Sequence, residues 1–247
     1  MSALLEARQV SKFYRQGPVQ VAAVDDVSLA VRPGEVVLII GPSGSGKSTL
    51  LSLLGCILRP CSGTILVEGV PVGDVPDRAL PKIRRRNFGF VFQAFHLFPF
   101  LTAAENVETA LRLAGMPRRG RRERAVDLLN LCGLGQRGDF LPGRLSGGEK
   151  QRVAIARALA GDPRVVIADE PTASLDSATG DHVLGLLAGF ARDAGKAVIM
   201  ASHDPKARHF ADRIFALADG RLAAADRGVA GPPDGTGPAR RVSETRE

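Results

Sequence analysis

The chain has 247 residues, 33 basic against 26 acidic, for a formal charge of +7. Apolar residues make up 45% and charged ones 24%, which excludes wholesale disorder and leaves chain enough for a sizeable buried core. No apolar run reaches the roughly 18–20 residues of a membrane-spanning helix, and residues 1–10, with Glu6 and Arg8, lack an apolar signal core, so export is not expected.

In chain order, residues 3–31 read as strands in a hairpin-like arrangement. Further strands are predicted at 35–40, 64–67, 88–92, 165–169, 197–201 and 213–218, and helices at 47–57, 103–114, 121–131, 147–160, 177–194 and 205–210. Alternation of the two predicts an α/β fold with a mainly parallel core sheet. Strands stop after Gln93, so residues 94–160 read as an inserted helical subdomain. Thr102 and Glu105 have capping-box spacing. A globular unit over 1–226 is expected, followed by a disordered tail over 227–247, rich in Gly, Pro and Arg.

Cys56, Cys61 and Cys132 are too few for a disulfide framework and fit a reducing compartment. Lysine stands only at positions 12, 47, 82, 150, 196 and 206; every other basic residue is arginine.

The densest chemistry is at Gly41-Pro42-Ser43-Gly44-Ser45-Gly46-Lys47-Ser48, a complete G-x-x-x-x-G-K-[ST] between an apolar strand and a helix beginning at Lys47 and Thr49. Glycines let successive N–H groups face phosphate oxygens, and the following helix adds its positive end. Lys47 supplies a mobile cation to the β- and γ-phosphates, and Ser48 a hydroxyl to Mg²⁺. A ligand-free glycine turn is the alternative, and it leaves the Lys and Ser unexplained.

A second apolar strand ends in Asp169 and Glu170. Carboxylates at the C-terminal end of a buried strand emerge where α/β sheets bind ligands. Asp169 suits Mg²⁺, directly or through water. Glu170 points elsewhere and suits the proton of an attacking water. Alone, the pair would read as solvated acids.

Leu145-Ser146-Gly147-Gly148-Glu149 then opens a helix with another capping-box spacing. This stretch resembles the signature of ATP-binding cassette (ABC) ATPases. Further elements of that family follow in order. Tyr14 resembles its adenine-stacking aromatic, Gln93 its Q-loop glutamine, Ser174-Leu175-Asp176 its D-loop, and His203 its switch histidine. The resemblance spans residues 3–225. Within the family it is nearest the macrolide-exporter, lipoprotein-release and heterocyst glycolipid-export group. The residues behind this are Leu54-Gly55-Cys56, Ser62-Gly63-Thr64, the run from Gly89 to Phe95, and that from Leu101 to Val107. Glu149, where Gln is commoner, and the tail after Gly220 depart from that pattern. His96, His182 and His209 match nothing and read as ordinary.

The resemblance implies a P-loop ATPase with an N-terminal antiparallel β subdomain and an inserted helical subdomain. It implies ATP and Mg²⁺, with Lys47, Gln93, Glu170 and His203 catalytic and Ser48, Gln93 and Asp169 at the metal. Residues 41–49, Tyr14, Leu145–Glu149, Asp176, Gln93 and His203 would hold nucleotide. A second copy would pack head to tail, its signature covering the γ-phosphate. Integral membrane permease subunits would be the other partners, with the chain cytoplasmic and peripheral on the inner face of the cell membrane. Nucleic acid is not the expected partner. Phe95, Leu97, Phe98, Phe100 and Leu101 read equally as a permease-docking loop or as subdomain core. The basic runs at 84–86 and 118–124 read first as solvated helix faces, then as contacts to lipid headgroups, an acidic partner loop or nucleic acid. A regulatory or non-transport ABC ATPase is the rival reading.

Overall fold

Side chains alternate across a strand, so one apolar run can serve two cores. In a computed structural model describing residues 2–17, 19–193 and 195–226, three central strands do this. In β3 (Val36–Ile40), Val36 and Leu38 enter one core while Val37 and Ile39 enter the other. In β7 (Val165–Asp169) the split is Val166 and Ala168 against Val165 and Ile167; in β8 (Ala197–Ala201), Val198 and Met200 against Ala197, Ile199 and Ala201. Burial on both faces is what their unbroken apolar sequence predicts.

These strands belong to a six-stranded sheet completed by β6 (Phe88–Phe92), β9 (Arg213–Ala218) and β10 (Arg221–Asp226), in the order β10-β9-β3-β8-β7-β6. All neighbours are parallel except β10, which returns antiparallel to β9. The predicted N-terminal hairpin is β1 (Leu5–Gln16) against β2 (Val19–Val31), antiparallel, with Leu5 opposite Val31. It lies in a separate four-stranded sheet with β4 (Ser62–Val67) and β5 (Val70–Pro71). Helix α1 (Lys47–Leu54) buries Leu50, Leu51, Leu53 and Leu54 in the core on this side.

The opposite core is covered by α3 (Ala103–Leu113), α4 (Arg121–Leu131), α5 (Gly147–Leu159) and α6 (Ser177–Asp193). Among the described residues, 93–164 contain no strand. Both expected capping boxes form, at Thr102–Glu105 and Ser146–Glu149.

Some elements differ from expectation. Helix α1 stops at Leu54 rather than at 57, because Cys56 is left-handed at φ 55°. Residues 205–210 form a 3₁₀ helix capped by Asp204 rather than the expected α-helix. Helix α2 (Leu80–Asn87) and strands β5 and β10 were not expected. The expected disordered tail, 227–247, lies outside the described residues.

Candidate nucleotide site

At the C-terminal ends of β3, β7 and β8 the chain leaves the sheet at Gly41, Glu170 and Ser202, and the three exits frame a cleft of about 680 Å³. It is lined by Tyr14, Ala23, Gly41, Ser43, Gly44, Gly46, Lys47, Ser48, Thr49, Gln93, Asp169, Glu170 and His203. Twelve of these were singled out by the sequence. Ala23 was not; a small apolar residue on β2 carries no signal of its own.

The loop is shaped by backbone contact. Gly46, the residue before α1, has φ 102°, and a Cβ there would overlap the Ala23 carbonyl oxygen. Only glycine fits, and its fit seats the loop against β2. No side chain caps α1, and an uncapped helix start of this kind suits an anion. Lys47 Nζ donates to the carbonyls of Gly41 at 2.8 Å and Pro42 at 3.0 Å. Ser45 turns inward and is buried, its Oγ without a partner. Tyr14 is 41% exposed on β1 with the Lys12 ammonium 5.8 Å from its ring centre.

Opposite the loop, Asp169 Oδ1 is buried and has no hydrogen-bond partner. Glu170 follows at φ 50°, a left-handed conformation rare outside glycine. Its N–H donates to Ala201 O at 2.9 Å, and its Oε2 lies 2.8 Å from Nδ1 of His203.

Eight predicted residues are outside this lining: Pro42 and Ser45, which belong to the loop itself, and six that stand apart from it. Leu145, Ser146, Gly147, Gly148 and Glu149 open α5, and Asp176 precedes α6. Ser146 N–H donates to Glu149 Oε2 at 2.8 Å, and Glu149 Oε1 accepts from Arg137 at 2.8 Å. These bonds, that from the Ser146 amide foremost, hold the Glu149 carboxyl below its usual pKa. Asp176 is held low chiefly by the Thr179 hydroxyl, 2.7 Å away. Thr179 in turn packs on Gly148, where a Cβ would overlap its methyl group. The start of α5 and the turn before α6 thus form one braced surface.

The apolar loop divides. Leu97 packs on the core, whereas Phe98 and Phe100 face outward, Phe100 at 91% exposure. Much of the basic runs has structural work: Arg84 donates to Cys56 O, Arg85 to Leu113 O, Arg121 to Met116 O, and Arg122 pairs with Glu108 and Asp139. Among the described residues, no helix is long and apolar enough to cross a membrane.

Known proteins share this architecture. The family described as ABC transporter matches residues 24–173. An uncharacterized ABC transporter ATP-binding protein of Thermotoga maritima is 47% identical over 227 residues, covering 92% of this chain and 97% of that protein. The macrolide export ATP-binding/permease protein MacB of Salmonella typhimurium is 48% identical over 222 residues. That match covers 90% of this chain, which spans 34% of the length of MacB. Among solved structures, the ATP-binding cassette MJ0796, a dimer in a post-hydrolysis state bound to ADP and Pi, superposes with a TM-score of 0.82 at 41% identity, covering 89% of this chain and 98% of that one. CbiO1 from Clostridium perfringens, part of the ABC transporter complex cbiONQ, gives 0.80 at 31% identity, over 90% of this chain and 88% of that one. With more than half its length matched by the family and a relative covered almost end to end, the chain belongs to the ABC transporter family as an ATP-binding protein.

Proposed function

We propose that the chain is the ATP-hydrolysing subunit of an ABC export or membrane-extraction system, acting as a head-to-tail dimer beneath separate permease subunits on the inner face of the cell membrane. The observation that carries this reading is one cleft lined by Lys47, Ser48, Gln93, Asp169, Glu170 and His203, with the Ser146 helix terminus outside it.

ATP would lie with adenine on Tyr14 and its phosphates over the α1 terminus. Lys47 would leave the Gly41 and Pro42 carbonyls for the β- and γ-phosphate oxygens. Asp169 Oδ1, an acceptor with no partner, together with the Ser48 hydroxyl and the Gln93 amide oxygen, are hard donors of the kind Mg²⁺ takes. Bound there, the ion would neutralise charge shared between β- and γ-oxygens. Glu170, its Oε2 held by His203, would take a proton from water as the water oxygen bonds to the γ-phosphorus and the bond to the β-phosphate oxygen breaks. His203 would also meet the γ-phosphate.

The far side of that phosphate would be covered by a second copy, through the Ser146 hydroxyl, the Gly147 and Gly148 amides, Leu145, Glu149 and Asp176. Hydrolysis removes the γ-phosphate contacts and lets the pair open. The cassette would occupy 1–226, with the helical subdomain at about 94–160 facing the permease. A groove of about 410 Å³ along edge strand β6, floored by Phe88, Phe90 and Phe92 and rimmed by Arg84 and Arg85, supports that docking face. Likeness to the macrolide export protein supports export over import.

Phosphate release by the purified chain, with and without Mg²⁺, tests the proposal. Magnesium-dependent hydrolysis that Glu170→Gln abolishes is expected. A chain that binds ATP but never hydrolyses it, even when reconstituted with its permease, would overturn the enzymatic reading.

A further inference from the structure

Arg157 lies near the end of α5, the helix that Ser146 opens, and its guanidinium reaches across to the loop after Gln93. One Nη donates to the carbonyl of His96 and the other, at 2.8 Å, to that of Phe95. Those two residues are consecutive, neither is glycine, and both are left-handed, at φ 60° and 49°. Such a pair persists only where its surroundings hold it. The turn also closes on itself, with Phe95 N–H on Phe92 O at 3.1 Å and His96 N–H on Ala94 O at 2.6 Å, so it encloses Gln93. The His96 ring packs on Phe92, centres 4.9 Å apart.

The outer end of the loop has its own anchor. Asn106 on α3 is fully buried, accepts from Phe98 N–H at 2.8 Å and donates to Leu101 O at 2.9 Å. Gln93 therefore sits between the sheet and the Arg157 fork, and the fork fixes the turn from the α5 side. Among the described residues no carboxylate pairs with Arg157. The two carbonyls compensate a guanidinium partly withdrawn from water. A lysine, with a point charge, would not hold both carbonyls in a plane.

We infer that Arg157 is a positioning residue for Gln93: by forking the Phe95 and His96 carbonyls it sets where Gln93 stands in the nucleotide cleft and ties that position to the signature helix. A shift of α5 would thereby move Gln93. The inference rests on the proposed role of Gln93.

A double-mutant cycle in the full chain tests it, with kcat and KM for ATP from phosphate release and thermal unfolding as the check on folding. Arg157→Lys is expected to lower kcat by on the order of tenfold to a hundredfold, as small misplacements at a reacting centre do, with KM and unfolding temperature near wild type. Added to Gln93→Ala, Arg157→Lys should cause no further loss. Losses that multiply in the double variant would overturn the inference, since Arg157 would then act independently of Gln93; so would an unchanged kcat in Arg157→Lys. If Gln93→Ala alone left kcat at the wild-type value, the role of Gln93 would itself fall, an outcome distinct from the other two. Should Arg157→Lys lower the unfolding temperature, Arg157→Gln, which can still donate to one carbonyl, keeps the cycle usable.

Discussion

His203 holds Glu170 by two routes: its Nδ1 lies 2.8 Å from Oε2, and its backbone N–H donates to the same oxygen at 3.3 Å. The segments after β7 and β8 are thereby tied across the cleft. The left-handed backbone of Glu170 is what turns its carboxylate toward the loop carrying His203. Glu170→Gln should lower turnover by roughly 10²–10⁴-fold, the usual worth of a positioned base. Nucleotide affinity should be retained, and dimer should accumulate with ATP. Phosphate release, a fluorescent-nucleotide titration and size-exclusion chromatography would measure the three. Hydrolysis at the wild-type rate would show that Glu170 is not the base.

Lys47 rests on the carbonyls of its own loop. Lys47→Ala would leave the fold intact, because the lost bonds are to a loop that Gly46 already seats on β2. It would remove the cation proposed to meet the β- and γ-phosphates. A nucleotide titration should show weakened binding with an unchanged unfolding temperature; unaltered affinity would count against phosphate at this loop.

Because Ser146 and Lys47 line different surfaces of one chain, their loss should complement. Lys47→Ala and Ser146→Arg chains should each be inactive alone. Mixed, they form some dimers in which the intact loop of the Ser146→Arg chain faces the intact signature of the Lys47→Ala chain. Activity should return to a fraction of wild type on mixing. If mixing restores nothing, the two motifs do not meet between copies.

How far these assignments could be read from the sequence follows from where the information lies. The strands β3, β7 and β8 were legible because burial on both faces demands apolar residues without a break. The loop at 41–48 and the acids at 169–170 stood out because of their residue types at fixed spacing, and most of them line one cleft. Helix α2 was not: its last turn is Arg84, Arg85 and Arg86, and tertiary bonds such as that from Arg84 to Cys56 O hold it. Strand β10 has no apolar pattern and exists by pairing with β9. Ala23 at the cleft and Arg157 on the Phe95 and His96 carbonyls are matters of placement, which no local motif encodes.

The capping boxes give stability a defined pH dependence. Glu105 is held low foremost by the Thr102 amide and Glu149 by that of Ser146. A carboxyl depressed in the folded state stabilises it fully above the unfolded pKa, roughly 4.3. That contribution is lost as pH falls through the lower native values. At pH 7 a Glu105→Ala, Glu149→Ala double variant should unfold below wild type. The gap should narrow as pH falls below roughly 4.3. Thermal melts by circular dichroism across that range check it, and a gap independent of pH would assign the stabilisation to something other than these carboxylates.

Strands whose alternate side chains are gripped by two cores have no slack on either flank. The floor from which Gly41, Glu170 and Ser202 depart is thus clamped from both sides. In deuterium exchange, amides of β3, β7 and β8 should be the last to label. The proposed base would then be mounted on an anvil.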